Sequence, residues 1–185
     1  MANIKVTKAQ WIELGASRFS KEGTTGLNVE SMSRELGCNK SGFYWYFKNR
    51  SAFVQDIVEY WVETATNEII AMAEKANSPQ AKLMELINEL FGNVQYKDFM
   101  YYLRKIALED VDLEKLVARA ENNRVKYIQD LLVQLKYPRN EAFSKAKILY
   151  QYYLGWYELN KHRSINDEDL KIVLEEIGHF IDLGK

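Results

Sequence analysis

Helix breakers are nearly missing from this chain beyond its first quarter, and that absence limits its fold more than any other feature. Its 185 residues hold two prolines, Pro79 and Pro138, while five of nine glycines (Gly15, Gly23, Gly26, Gly37 and Gly42) crowd the beginning. No alternating β-branched run occurs, whereas apolar residues recur at three- and four-residue steps, the period of a helix with one buried face. The pattern predicts an all-α chain of about nine helices, short ones first and long ones after.

Capping signals place their starts. Thr7 with Gln10 forms a T-x-x-Q box before Trp11, Ile12, Gly15, Ala16 and Phe19, so a first helix should run to Gly23. Asn28 should cap a second helix ending at Gly37, and a short third starts near Asn39. Asn49 should cap a long fourth to about Ala76. Ser78-Pro79 opens a fifth, running to about Val94, because proline is welcome at the first helical position. A sixth covers roughly Lys97 to Leu108. Asp112 is expected to cap the seventh, Asn140 the eighth (to about His162) and Asn166 the ninth.

Charge divides the chain. Residues 1–50 carry eight Lys/Arg against four acids, whereas the remainder has 17 basic and 22 acidic residues. Only this head is suited to a polyanion, so the chain is expected to divide into a basic head, 1–50, and a helical bundle, 51–185, though charge alone needs a motif beside it before it means DNA binding. Cys38, the single cysteine, cannot build a disulfide framework, and the longest uncharged run, Ile148 to Tyr157, is about half of a membrane span. A soluble, cytoplasmic protein in a reducing compartment is expected. Phosphate-loop, dinucleotide and nucleophile-elbow signatures are absent and the two histidines are far apart, so neither an enzyme nor a metal or other cofactor is expected. Cys38 suits a small buried residue in a turn, with a thiol sensor as the alternative.

Two short helices joined at Leu36-Gly37-Cys38 are the parts of a helix-turn-helix, whose second helix enters the major groove. After Lys40, Ser41 and Gly42 come five consecutive aromatics, Phe43 to Phe47. Phe43 and Phe47 share a face and would pack on the first and fourth helices, leaving Tyr44 and Trp45 with polar atoms available to phosphates. Alternatively, all five belong to the core of a three-helix bundle.

The segment GLNVESMSRELGCNKSGFYWYFKNRSAF resembles the DNA-binding signature of the TetR (tetracycline repressor) family of bacterial transcriptional regulators, without gaps over 28 residues. The resemblance implies a DNA interface of Asn28, Lys40, Ser41, Gly42, Tyr44, Trp45, Tyr46, Lys48 and Arg50, with Lys40 the foremost base reader and Tyr44 and Arg50 on phosphates. Cys38 and Asn39 depart from the usual Val and Ser. Glu30 either accepts from a cytosine amino group or faces solvent.

The resemblance also implies that the body surrounds a cavity for a small apolar or aromatic effector, and that homodimers form through the last two helices. The residues matched to the cavity are Trp61, Met72, Phe99, Met100, Tyr102, Tyr127, Tyr153 and Trp156; any of them could instead be core. The eighth helix is apolar on more than one side, and with the ninth it could offer Tyr150, Tyr157, Leu170, Val173, Leu174, Ile177 and Ile181 to a second copy. The alternative is that the eighth helix is central and buried all round. The function implied is a ligand-responsive regulator, commonly a repressor, that binds a palindromic double-stranded DNA operator and is released by its effector. The competing expectation is an all-helical ligand-binding or interaction protein that does not bind DNA.

Overall fold

A computed structural model describes residues 6–92 and 98–182, and these contain nine α-helices and no strand. The helices are α1 (Lys8–Glu22), α2 (Val29–Glu35), α3 (Ser41–Tyr46), α4 (Arg50–Ala73), α5 (Pro79–Gly92), α6 (Phe99–Ala107), α7 (Val111–Gln134), α8 (Arg139–Asn160) and α9 (Asp167–Gly178), with a short 3-10 turn at Gly23–Gly26. The expected end of the fifth helix at Val94 and start of the sixth at Lys97 lie outside the described residues.

Most starts follow the capping chemistry. Thr7 and Gln10 form a reciprocal capping box, and Asn166 forms another with Asp169. The side chains of Asn28, Asn49 and Ser78 accept from the backbone N–H groups of Ser31, Ala52 and Ala81. Two caps differ from expectation. At α7 the carboxylate of Asp110, two residues before Asp112, accepts from the N–H groups of Asp112 and Leu113 at 3.0 and 3.1 Å. At α8, Pro138 occupies the cap position without a side-chain bond, and Asn140 lies inside the helix.

Contacts divide the chain into two compact units, Met1–Thr64 with Tyr96–Ala118, and Ala65–Gln95 with Arg119–Lys185. In the first, Trp11, Phe19, Leu27, Met32, Phe43, Phe47, Phe53 and Ile57 are buried together with Phe99 of α6. Phe19 lies 4.7 Å from Phe99, which stacks on Trp61 at 4.2 Å with the rings 8° from parallel. The ring of Tyr102 fills the space over Gly23, where a Cβ would fall 2.6 Å from it, and Gly23 also needs a φ of +61°. Glycine satisfies both demands at once. The Tyr102 hydroxyl donates to the Lys21 carbonyl at 3.3 Å, so α6 is fastened to the end of α1 by rings and by a hydrogen bond. Arg18 clamps α1 to α2, donating to Ser31 at 3.0 Å and to the Glu35 carboxylate.

The core of the second unit is formed by Leu83, Ile87 and Phe91 of α5, Leu131 and Leu132 of α7, Ala142, Ala146 and Leu149 of α8, and Val173, Ile177 and Ile181. This corrects part of the expected dimer surface. Tyr150, Val173, Ile177 and Ile181 retain 6, 2, 3 and 0% of their exposure within a single chain, so they have almost no area left to give a second copy. Leu170 and Leu174 are half-buried against the same core, and Tyr157 lies beside Tyr153. The large apolar side chains that remain exposed on these helices are Phe143, Ile148 and Leu159 of α8 and Ile172 of α9.

Candidate nucleic-acid interface

The short helix α3 is divided lengthwise by its own aromatics. Phe43 is buried against Trp11 of α1 and Phe53 of α4, at ring separations of 5.4 and 5.0 Å, and Phe47 packs on Phe53 at 4.6 Å. That fixes the helix rotation, because Phe43 is seated on α1 and α4 while Phe47, the extended residue that ends α3, is anchored in the same core. Tyr44 and Trp45 therefore stand outward, 64 and 78% exposed, with Lys40, Ser41 and Lys48 also exposed. Gly42 is half-buried. The turn before α3 uses Gly37 at φ +67°, a conformation glycine adopts without a Cβ penalty.

Other expected interface residues have intramolecular partners. Asn28 is exposed while its side chain caps α2. The Arg50 guanidinium donates to the Thr24 carbonyl, which holds the side chain at the start of α4 and leaves further N–H donors in its fork. Tyr46 is half-buried and its hydroxyl donates to the Val6 carbonyl at 3.0 Å, tying α3 to the residues before α1. Sequence reasoning missed an ion pair: Lys40 Nζ lies 2.8 Å from Glu30 Oε2, so the foremost base-reading candidate is held by a carboxylate from α2. Side chains ten residues apart give no periodic signal for such a pair. Cys38 is half-buried in the turn, and burial pushes its thiol above the usual range, away from the reactive thiolate.

The residues matched to an effector cavity fall in both units. Trp61, Phe99, Met100 and Tyr102 are in the first, where Trp61, Phe99 and Tyr102 make the ring contacts that hold α6. Met72, Tyr127, Tyr153 and Trp156 are in the second. Tyr153 and Trp156 bracket Phe91 at 5.5 and 5.0 Å. The Tyr127 hydroxyl donates to Glu74 at 2.8 Å; burial, and then this carboxylate, push the phenol well above its ordinary range. Lys82, bonded to the same carboxylate, holds Glu74 below the usual carboxylate range, with Tyr127 adding to the effect. An open hollow of about 370 Å³ in the second unit is lined by Gln80, Leu135, Lys136, Tyr137, Pro138, Glu141 and Asp182, and so by none of the eight. Among the described residues, no group of three or more His, Cys, Asp or Glu could hold a metal ion. No helix there is long and apolar enough to cross a membrane.

No family model matches the sequence. YuxN of Bacillus subtilis, described as an HTH-type transcriptional regulator, is 24% identical over 90 residues, 48% of this chain and 31% of that protein. HslU of Petrotoga mobilis, an ATP-dependent protease ATPase subunit, is 27% identical over 128 residues, 60% of this chain and 27% of that protein. The chain thus aligns with less than a third of either curated relative. Solved structures agree over nearly the whole length. E. coli NemR superposes with a TM-score of 0.79 at 14% identity, covering 97% of this chain and all of that one. A transcriptional regulator described as a TetR/AcrR family member superposes at 0.77 and 17% identity, over 96% of this chain and 100% of its own. The chain has the TetR/AcrR fold. Many of its other structural neighbours are described as TetR-family regulators too. On the TetR/AcrR fold this sequence places its helix-turn-helix at α2 and α3, with α3 exposing Tyr44 and Trp45.

Proposed function

We propose that the chain is a cytoplasmic, ligand-responsive transcriptional regulator, commonly a repressor in proteins it resembles, that binds a near-palindromic operator as a homodimer. The observation that carries this is α3 itself, with Phe43 and Phe47 anchoring it inward and Lys40, Ser41, Tyr44, Trp45 and Lys48 exposed along the remainder. A surface helix anchored by Phe43 within it and by Phe47 at its end has no packing reason to expose a tryptophan and a tyrosine between them. Bases and phosphates supply one. Phosphate contacts would carry most of the affinity and make it salt-dependent.

The homodimer is proposed through the outer side of α8. Ser144, Ile148, Gln151, Gly155 and Leu159 follow one another at three- and four-residue steps and are all exposed, and a Cβ at Gly155 would meet nothing within 4 Å. Two such faces can approach closely. An effector that binds more tightly to a conformation unable to span two grooves about 34 Å apart would release DNA. Tyr153 and Trp156 around Phe91 are the favoured effector contacts, and α4, which carries Arg50, Trp61 and Met72, is the proposed lever.

Selection of bound sequences from random duplex DNA tests the reading. A recovered near palindrome supports it, and sequence-blind, salt-erased binding overturns it. For the dimer, Ile148→Glu with Leu159→Glu is expected to weaken self-association by at least about four orders of magnitude, since each copy loses apolar burial of roughly 1.5–3 kcal/mol per side chain and the dimer uses both copies. Sedimentation should then show folded monomer, whereas an unchanged dimer would place the interface elsewhere.

A further inference from the structure

We infer that Glu30 is a specificity-determining residue of the DNA interface: through its ion pair it positions Lys40 to read a G·C base pair, and it opposes binding through phosphates alone. This rests on the proposed DNA-binding function.

Glu30 lies in the first turn of α2 and Lys40 immediately precedes α3, so the 2.8 Å pair bridges both helices of the motif across the turn at Gly37. The side chains are 59 and 55% exposed, and exposed pairs of this kind add little to stability. Nor does α2 need Glu30 as a cap, because Asn28 already accepts from Ser31. Arg34 stands one turn along the same helix, but the carboxylate is bonded to Lys40.

On a surface meant for a polyanion, a carboxylate is a liability unless something on DNA can use it. Paired with Glu30, Lys40 offers a phosphate no net charge. The major-groove edge of a G·C pair satisfies both partners together: guanine O6 and N7 accept from an ammonium, and the cytosine amino group donates to a carboxylate. Guanine O6 and cytosine N4 are themselves hydrogen-bonded, about 2.9 Å apart. That spacing matches the 2.8 Å between Lys40 Nζ and Glu30 Oε2, so the protein pair can lie alongside the base pair with each donor facing an acceptor.

The test uses the full chain, the duplex recovered by selection and a scrambled duplex of equal length, titrated at several KCl concentrations. In Glu30→Gln the freed Lys40 should neutralise a phosphate. Affinity for scrambled DNA should then rise about fivefold, and the slope of log K against log salt should steepen by about 0.9 per engaged head. The preference for the selected duplex should fall at least tenfold, and repeated selection should lose one G·C pair per half-site. Glu30→Asp should restore part of the preference, and in a Lys40→Gln background Glu30→Gln should leave the salt slope unchanged. Melting temperature should stay at the parent value. An unchanged preference in Glu30→Gln, beside a parent that binds selectively, overturns this inference alone, as does a parallel loss of both affinities with a lowered melting temperature. A parent without sequence preference overturns the proposed function as well.

Discussion

Tyr44→Phe will bind the selected operator at least a hundredfold more weakly than the parent while melting at the same temperature. The phenol is 64% exposed and its ring stands edge-on to Phe43 at 5.3 Å and 87°, so deleting the exposed hydroxyl leaves that ring contact in place. A hydrogen bond to a charged group contributes about 1.5–3 kcal/mol. A dimer uses the residue twice per operator, giving roughly 3–6 kcal/mol, or two to four powers of ten in affinity. Tyr46→Phe supplies the contrast two residues away. Its hydroxyl is already bonded to Val6, so that variant should lose about 1 kcal/mol of stability and bind DNA nearly as well. Fluorescence anisotropy with a labelled duplex, read beside thermal melts, checks both, and equal binding by Tyr44→Phe and the parent would remove Tyr44 from the interface.

The head could be read from sequence because its determinants are local. Thr7, Asn28 and Asn49 cap through residues three positions on, and α3 is seated by Phe43 within it and Phe47 just past its end. What packs against the last helix could not be read in the same way. Periodicity shows that Val173, Ile177 and Ile181 are buried, but not by what, and the structure encloses them within the chain's own second unit. Phe143, Ile148 and Leu159, which stay exposed, sit on a helix apolar on several sides, where no single stripe marks the outer face. The Glu30–Lys40 pair and the Arg18 clamp were hidden for a related reason. They depend on how two helices are turned toward each other, which no spacing within either helix records.

Phe99, which the resemblance matches to an effector cavity, lies in the core of the first unit, and Phe99→Ala separates the two roles. The ring is fully buried, stacked on Trp61 at 4.2 Å and tilted against Phe19 at 4.7 Å. Removing a buried phenylalanine costs about 3–5 kcal/mol, because the cavity collapses only in part. In a chain of this size each kcal/mol shifts the melting temperature by about 2–4 °C, so the ligand-free variant should melt roughly 6–20 °C below the parent. DNA binding should weaken with it, since the same ring fastens α6 to α1 of the head. Tyr102→Phe, which removes only the bond to Lys21, should cost about 1 kcal/mol. A residue that serves a ligand and not the core behaves oppositely, leaving the ligand-free protein unchanged. If ligand-free Phe99→Ala melts with the parent and only effector release of DNA is lost, Phe99 belongs to the pocket, and α6 is held to the head by Tyr102 and Gly23 without it.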